Sequence, residues 1–212
     1  MTTTETLTMT TTETPTDLLV LSSNAQDLLF RSARTANSFT DEEIGEDQLR
    51  AIYGLVRWAP TCFNAQPLRI VAVRGEAARD RLVPHLFGAN QAKTRRAPLT
   101  LLLAADRGFD EHLPRVAPFL TDPQALFVDP AYREATADYN AILQVGYLII
   151  AIRAAGLAAG PMAGYDADGV DAEFFPDGRH HTVLVMNVGV PAPDAWFERS
   201  PRLDFDEVVT TI

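Results

Sequence analysis

The residues best placed for chemistry are small and neutral. Between Trp58 and the apolar run "LRIVAV" (68–73) the chain places Pro60, Thr61, Cys62, Asn64, Gln66 and Pro67 in one short loop. A plain surface turn needs no such run of small and amide side chains. A loop lying flat against a polar, ring-shaped ligand does, because small residues let the backbone approach and an amide both donates and accepts hydrogen bonds. The competing reading is a Pro- and Asn-rich connection from a helix to a strand. The usual engines of catalysis are missing: no G-x-S-x-G elbow, no G-x-x-x-x-G-K-[ST], and no G-x-G-x-x-G after a strand. "GLAAG" (156–160) follows a helix, and no pair of carboxylates stands out. The four histidines are scattered, and adjacent His180 and His181 read as solvent-facing rather than as ligands. A chain with several polar, Gly-rich loops but no nucleophile or metal cluster of its own suggests a borrowed cofactor.

Composition bounds the partners. The 212 residues suit one domain of ordinary size. A formal net charge of −10, from 18 Lys and Arg against 28 Asp and Glu, argues against general nucleic-acid binding, which needs clustered cations. It leaves room for a small anionic ligand. A single cysteine, Cys62, rules out an intrachain disulfide and points to a reducing, cytoplasmic setting. Residues 1–17 are Thr-rich and apolar-poor, without the pattern of a signal peptide, and are expected to be a floppy tail to a domain covering 18–212. The longest apolar run, Val145 to Ile152, is far short of the ~20 residues that span a bilayer, so no membrane role is expected.

The elements that must position the loop follow from periodicity. A first helix is expected within 18–34, with Leu28, Leu29 and Phe30 inward. "TDEE" has the form of a capping box, which would start a second helix at Thr40, carrying Leu49, Ile52, Tyr53 and Val56 at helical spacing. Strands are expected at 68–73, 98–106 and 182–190, with a helix at 76–87 and a short one at 168–174. Residues 107–134 read either as a lid or as a short helical insert covering the core. Residues 136–155 read as a helix apolar nearly all round, stopped by Gly156, belonging in a domain centre or an oligomer interface. "GPMAGYD" (160–166) reads as a tight loop. The fold class is α+β.

Four segments in order, "ARTANSF" (33–39), "WAPTCFNAQP" (58–67), "GPMAGYD" and "RSPRLDF" (199–205), resemble the motifs of the FMN-dependent nitroreductase family. The Phe39-to-Pro60 spacing keeps the family's register. Aligning Arg31-Ser32-x-Arg34 on the opening motif instead breaks it. The resemblance covers essentially everything after the tail. It implies a three-layer fold, a central, mainly antiparallel sheet flanked by helices, and a homodimer with two FMN at the interface. By that resemblance Pro60, Thr61, Cys62 and Asn64 would line the flavin ring, commonly across the dimer interface. Arg34, Thr35 and Arg202, with Arg199, would take the FMN phosphate, where a guanidinium grips better than Lys. The loop of Gly160, Pro161, Met162, Ala163 and Gly164 would lie by flavin N5, with Ala163 serving through its main-chain amide and Met162 read as packing.

Two departures stand out. Ala33 replaces the first basic residue of the opening motif. Asn37 replaces the cation that usually faces the flavin's N1–O2 edge, and so implies a lower flavin potential unless Lys93 or another base substitutes. The implied activity is ping-pong hydride transfer from NADH or NADPH through flavin N5 to a small acceptor. "GANQAKTRRAP" (88–98) and Phe109–Pro114 look closest to the malonic semialdehyde reductase branch. A carboxylate-bearing acceptor would want a cation, for which Arg115, Arg95 and Arg96 are candidates. A nitroaromatic or quinone, a biosynthetic dehydrogenase reaction, a non-catalytic flavin-binding protein and a cofactor-free interaction domain are the alternatives.

Overall fold

The computed structural model describes residues 18–212; the Thr-rich stretch 1–17 lies outside them. Four strands form one sheet: β1 (Leu68–Val73), β2 (Leu99–Asp106), β3 (Ala158–Met162) and β4 (His180–Gly189). Their spatial order is β1-β2-β4-β3, and every neighbouring pair is antiparallel. β2 is buried along its whole length, which is why it reads as an unbroken apolar run and not as an alternation.

The eight helices of the described residues are α1 (Ser23–Gln26), α2 (Glu46–Val56), α3 (Gly75–Leu82), α4 (Ala89–Arg96), α5 (Leu113–Val116), α6 (Pro130–Ala154), α7 (Ala167–Phe174) and α8 (Phe205–Val208). The strand period of two splits the core into two layers. Leu99, Leu101 and Leu103 of β2 pack with Ile52 and Val56 of α2 and with Val145, Leu148 and Ile152 of α6. Leu102 and Ala104 point the other way, onto Leu82 of α3 and Val170 of α7. The result is the expected α+β arrangement of helices, antiparallel sheet and helices.

α6 organises the site. It starts at Pro130, earlier than its apolar pattern suggests, because Asp129 caps the Ala131 amide at 3.0 Å and Pro130 is pre-set for a first turn. It ends at Ala154, and Gly156 takes the left-handed φ of +76°. By length and composition alone α6 could cross a bilayer. Here one face carries Ala141, Val145, Leu148 and Ile152 into the core, while Tyr139, Ile142, Leu143 and Tyr147 form an exposed apolar stripe.

Several expectations need correction. Thr40 does not cap a helix: its amide donates to the Val190 carbonyl at 2.9 Å, and α2 begins only at Glu46. Pairing of this stretch with the end of the sheet, where Phe39 bridges Pro191, overrides the local capping signal. The first helix is short and passes into a wider π-type turn at Asp27–Arg31, which leaves Leu28 and Phe30 half-exposed. Gly160 to Met162 are strand, not loop; β3 is an edge strand, where proline is tolerated. α4 has no apolar stripe, with only Thr94 buried, so periodicity does not reveal it. Residues 107–129 are a helical insert packed on α6, with Phe109, Leu113 and Phe127 fully buried against Ala137 and Ala141.

Candidate functional site

The site residues fall into two rigid halves. The first is laid on β3. The Ala36 amide donates to the Ala159 carbonyl at 3.0 Å, and the Asn37 amide to the Ala195 carbonyl at 3.0 Å. Gly160 makes this approach possible: a Cβ there would stand 2.5 Å from the Ala36 carbonyl oxygen. Arg34, Thr35 and Asn37 thereby reach a cavity of about 280 Å³ that Arg199 and Arg202 also line. The three guanidiniums bind only main-chain carbonyls: Arg34 that of Phe197 at 3.0 Å, Arg199 that of Arg31 at 2.6 Å, and Arg202 that of Ser200 at 2.8 Å. None of the three forms an ion pair with a carboxylate among the described residues. Three guanidiniums beside a hydroxyl, with Glu198 on the same lining but paired to none of them, are a donor set suited to a phosphate dianion.

Lys93, on α4, brings its ammonium to 2.7 Å from Asn37 Oδ1. A cation therefore stands beside the position where the sequence has lost one. Beyond β3, the Gly164 carbonyl accepts from the Phe87 amide at 3.0 Å and from Asn90 Nδ2 at 3.1 Å, which fixes the turn that carries exposed Ala163. Pro161 is half-buried, and Met162 is buried with its sulfur 3.8 Å from Asn187 Nδ2, a packing position. Tyr165 donates its hydroxyl to the Thr182 carbonyl at 3.0 Å. Burial, with the Asp171 charge, pushes its pKa up to about 12, so it stays protonated.

The second half is the loop 60–67. Pro60, Cys62 and Asn64 are exposed and Thr61 half-buried, while Ala65 and Pro67 root the loop in the core. Phe63, Asn64 and Gln66 take left-handed φ values of 49°, 54° and 46°, costly for residues with a side chain. Hydrogen bonds hold this shape. The Cys62 amide donates to Asn140 Oδ1 at 2.7 Å, Asn64 Nδ2 to the Val116 carbonyl at 2.7 Å, and the Gln66 amide to Thr61 Oγ1 at 3.1 Å. The Asn64 amide is thus committed to the insert, and the loop meets a ligand with its shape, its Thr61 hydroxyl and its exposed faces. No hydrogen bond among the described residues joins this loop to the Arg34 half.

Of the three candidate substrate cations, the structure brings one to a cavity beside the loop. Arg115 shares a cavity of about 510 Å³ with Gln66, Arg69 and His112. Arg95 is tied to Asp80 at 3.0 Å, and Arg96 is exposed on α4.

Behind this cavity lies buried Asp106. It accepts from Arg179 Nε at 2.6 Å, Arg69 Nη2 at 2.6 Å and the Gly108 amide at 2.9 Å. Burial alone would raise its pKa, but the Arg179 hydrogen bond, the Arg69 charge and the Gly108 amide outweigh it and hold the carboxyl below the ordinary range. Sequence reading missed Asn140, Gln144, Asn90 and Asp106. The first two carried a signal: two amides four residues apart in the mostly apolar stretch 139–152 of α6, both buried.

Comparison with known proteins bears on this geometry. The family model described as "Nitroreductase family" matches residues 30–190. A Streptomyces griseus protein named "Putative NADH dehydrogenase/NAD(P)H nitroreductase" is 54% identical over 195 residues, 92% of this chain and 99% of that protein. A Leptothrix cholodnii protein of the same name is 42% identical over 179 residues, 84% of this chain and 91% of that one. Among solved structures, an Exiguobacterium sibiricum nitroreductase in complex with FMN superposes with a TM-score of 0.80 at 18% identity, over 90% of this chain and 98% of that one. The gut-bacterial enone reductase CLA-ER does so with a TM-score of 0.77 at 17% identity, over 90% of this chain and 99% of that one. At such identities the structural likeness is one of fold. The match across most of the chain, with a relative more than half identical along nearly its whole length, establishes membership: the chain belongs to the nitroreductase family.

Proposed function

We propose that residues 18–212 form one FMN-binding domain that acts as an NAD(P)H oxidoreductase, reducing a small acceptor. The observation that carries this reading is the convergence of Arg34, Arg199 and Arg202 on one cavity, with no carboxylate among the described residues paired to any of them, beside a strand edge that only Gly160 lets the chain approach. The names of the nitroreductase relatives and the FMN in a structural neighbour support it. FMN, when bound, supplies the centre that takes a hydride from NADH or NADPH and gives it to the acceptor. Arg34, Thr35, Arg199 and Arg202 would hold its phosphate. Lys93, beside Asn37, would stabilise negative charge on the ring. The turn at Ala163 and Gly164 would present a main-chain amide to the ring's reactive edge. Pro60, Thr61, Cys62 and Asn64 would cover it from a second subunit.

The homodimer is part of the proposal. The exposed stripe Tyr139, Ile142, Leu143 and Tyr147, together with exposed Trp58 and Phe197, is the kind of surface a subunit interface covers. It would bring the loop of one chain to the arginines of the other.

For the acceptor, a semialdehyde such as malonic semialdehyde fits the resemblance of 88–98 and 109–114 and the position of Arg115 near the loop. A flat nitroaromatic or quinone is the second reading, favoured by Phe63, 38% exposed at the loop tip. The test is the visible spectrum of the purified protein before and after anaerobic NADH and NADPH. A flavin band that bleaches, with flavin content lost in Arg34→Ala and lowered in Asn64→Ala, is the expected result. No band after incubation with FMN would overturn the reading.

A further inference from the structure

Polar side chains, not an apolar stripe, hold α4 in place. The helix is eight residues long, and only Thr94 of it is buried. Gln91 Nε2 donates to the Leu86 carbonyl at 2.8 Å, Asn90 Nδ2 to the Gly164 carbonyl at 3.1 Å, and Thr94 Oγ1 to Asn187 Oδ1 at 3.2 Å. The shortest bond of this set runs from Lys93 Nζ to Asn37 Oδ1, at 2.7 Å. Lys93 is half-buried and makes no ion pair with a carboxylate among the described residues. The Asn37 amide can face it in one orientation only. Asn37 Nδ2 lies 3.3 Å from the Thr35 carbonyl and 3.4 Å from the Ala195 carbonyl, so a flipped amide would set donor against ammonium and oxygen against two oxygens. The Asn37 main chain is fixed as well, its amide donating to the Ala195 carbonyl at 3.0 Å. A rigid acceptor therefore meets the tip of a flexible four-carbon stem that carries a compact charge.

We propose that Asn37 is a positioning residue for Lys93. Its carbonyl oxygen holds the ammonium at the rim of the arginine cavity, which Asn37 itself lines. A carboxylate in its place would neutralise Lys93, and a second cation would drive it off. A neutral amide fixes where the charge stands and leaves it uncancelled. The consequence rests on the flavin reading. A cation fixed beside a flavin strengthens binding of the anion left by hydride uptake more than binding of the neutral oxidised form. Such a difference is a redox potential: each tenfold change in the ratio of the two dissociation constants moves a two-electron potential by about 30 mV. Asn37 thus tunes the flavin through Lys93, although the amide carries no charge of its own.

The experiment is a double-substitution cycle read as the midpoint potential of the bound flavin, by anaerobic titration against a reference dye. Lys93→Gln should weaken the preference for reduced flavin about tenfold or more, a downward shift of about 30 mV. Asn37→Ala removes no charge, yet should weaken the same preference about threefold or more, and should change it by less than about twofold once Lys93 is Gln. A packing role of Asn37 independent of Lys93 would act alike in both backgrounds. The proposal is overturned if Asn37→Ala stays within about twofold of the parent, or shifts the potential equally with and without Lys93. A second arm needs no flavin. In flavin-free protein the Lys93 ammonium NMR signal, assigned by its disappearance in Lys93→Gln, should be protected from exchange with water and lose that protection in Asn37→Ala. An unprotected signal in the parent also overturns the proposal. Protection that depends on Asn37, in a protein that binds no flavin, would sink the flavin reading and leave the positioning of Lys93 standing.

Discussion

Replacing Asp106 with Asn keeps the shape of a buried side chain and removes only its charge. The carboxyl is 2% exposed and stands between Arg69 and Arg179, each within 2.6 Å. Both guanidiniums are themselves less than a third exposed, at 32% and 30%, so water cannot fully replace the lost partner. Removing one member of such a buried pair costs about 3–5 kcal/mol. For a domain of this size that is a drop in Tm of about 6–20 °C, at roughly 2–4 °C per kcal/mol. The sign with pH follows from the depressed carboxyl. The unfolded chain takes up its proton near pH ~3.9, while the folded one resists until lower pH. The contribution is therefore fully present above the unfolded value and lost as pH falls through the folded one. The parent and Asp106→Asn should differ most at pH 5–8, and the gap should begin to narrow only below about pH 4. The assay is thermal and urea denaturation at fixed protein concentration, from pH 7 down to pH 3. A variant within about 1 kcal/mol of the parent at pH 7, or a gap that does not narrow at all between pH 5 and pH 3, refutes the reasoning.

Other substitutions test the two halves separately. Gly160→Ala puts a Cβ 2.5 Å from the Ala36 carbonyl oxygen, a main-chain atom that cannot rotate away; it should cost about 1–3 kcal/mol and lower FMN content, and parental values for both would mean that 33–37 is not held on β3 as described. Asn140→Ala orphans the Cys62 amide, costs about 1–3 kcal/mol, and should speed hydrogen exchange through 62–66; unchanged exchange would show that the loop holds itself. Phe63→Gly relieves a φ of 49°, a gain of about 1–2 kcal/mol, against lost contact with Phe127 and added chain entropy of similar size; stability should barely change, and a loss beyond about 3 kcal/mol would show that Phe63 is a structural anchor.

How much of this was legible depends on how local each cause is. β2 and the end of α6 are local: an unbroken apolar run makes a buried strand, and Gly156 supplies the left-handed stop. β3 was hidden because Gly160 and Pro161 read as a turn, and only the sheet edge and the crowding of Ala36 explain them. The Thr40 box is a sound local signal that lost to a non-local pairing with Val190. In the site, Arg34, Arg199 and Arg202 are visible only by motif position, since a lone Arg on an acidic chain is ordinarily a surface charge. The pair Asn140 and Gln144 was readable in principle, because buried amides on an apolar helix need partners. Asp106 was not, because its Arg179 partner lies 73 residues away in sequence.

The two halves make one further demand. The loop 60–67 is held in shape by α6 and the insert, and the Arg34 cluster by β3 and the segment after β4, all within a single chain. Neither half has to fold when a ligand arrives, so binding energy is not spent on ordering them. Among the described residues of one chain no hydrogen bond links them, and the apolar stripe of α6 lies exposed beside the loop that Asn140 anchors. If the loop serves the partner's flavin, cofactor binding and association are linked: whatever binds only the dimer stabilises it. Ile142→Glu places a charge in the middle of the stripe, at a residue 49% exposed in the single chain, so it should leave the fold intact and abolish the dimer. Light scattering on a sizing column, with absorbance at the flavin band, should then show a folded monomer that has lost its FMN. A monomer retaining full FMN would place the whole cofactor site in one chain and end the cross-subunit reading, and a dimer retaining FMN would move the interface off this face of α6.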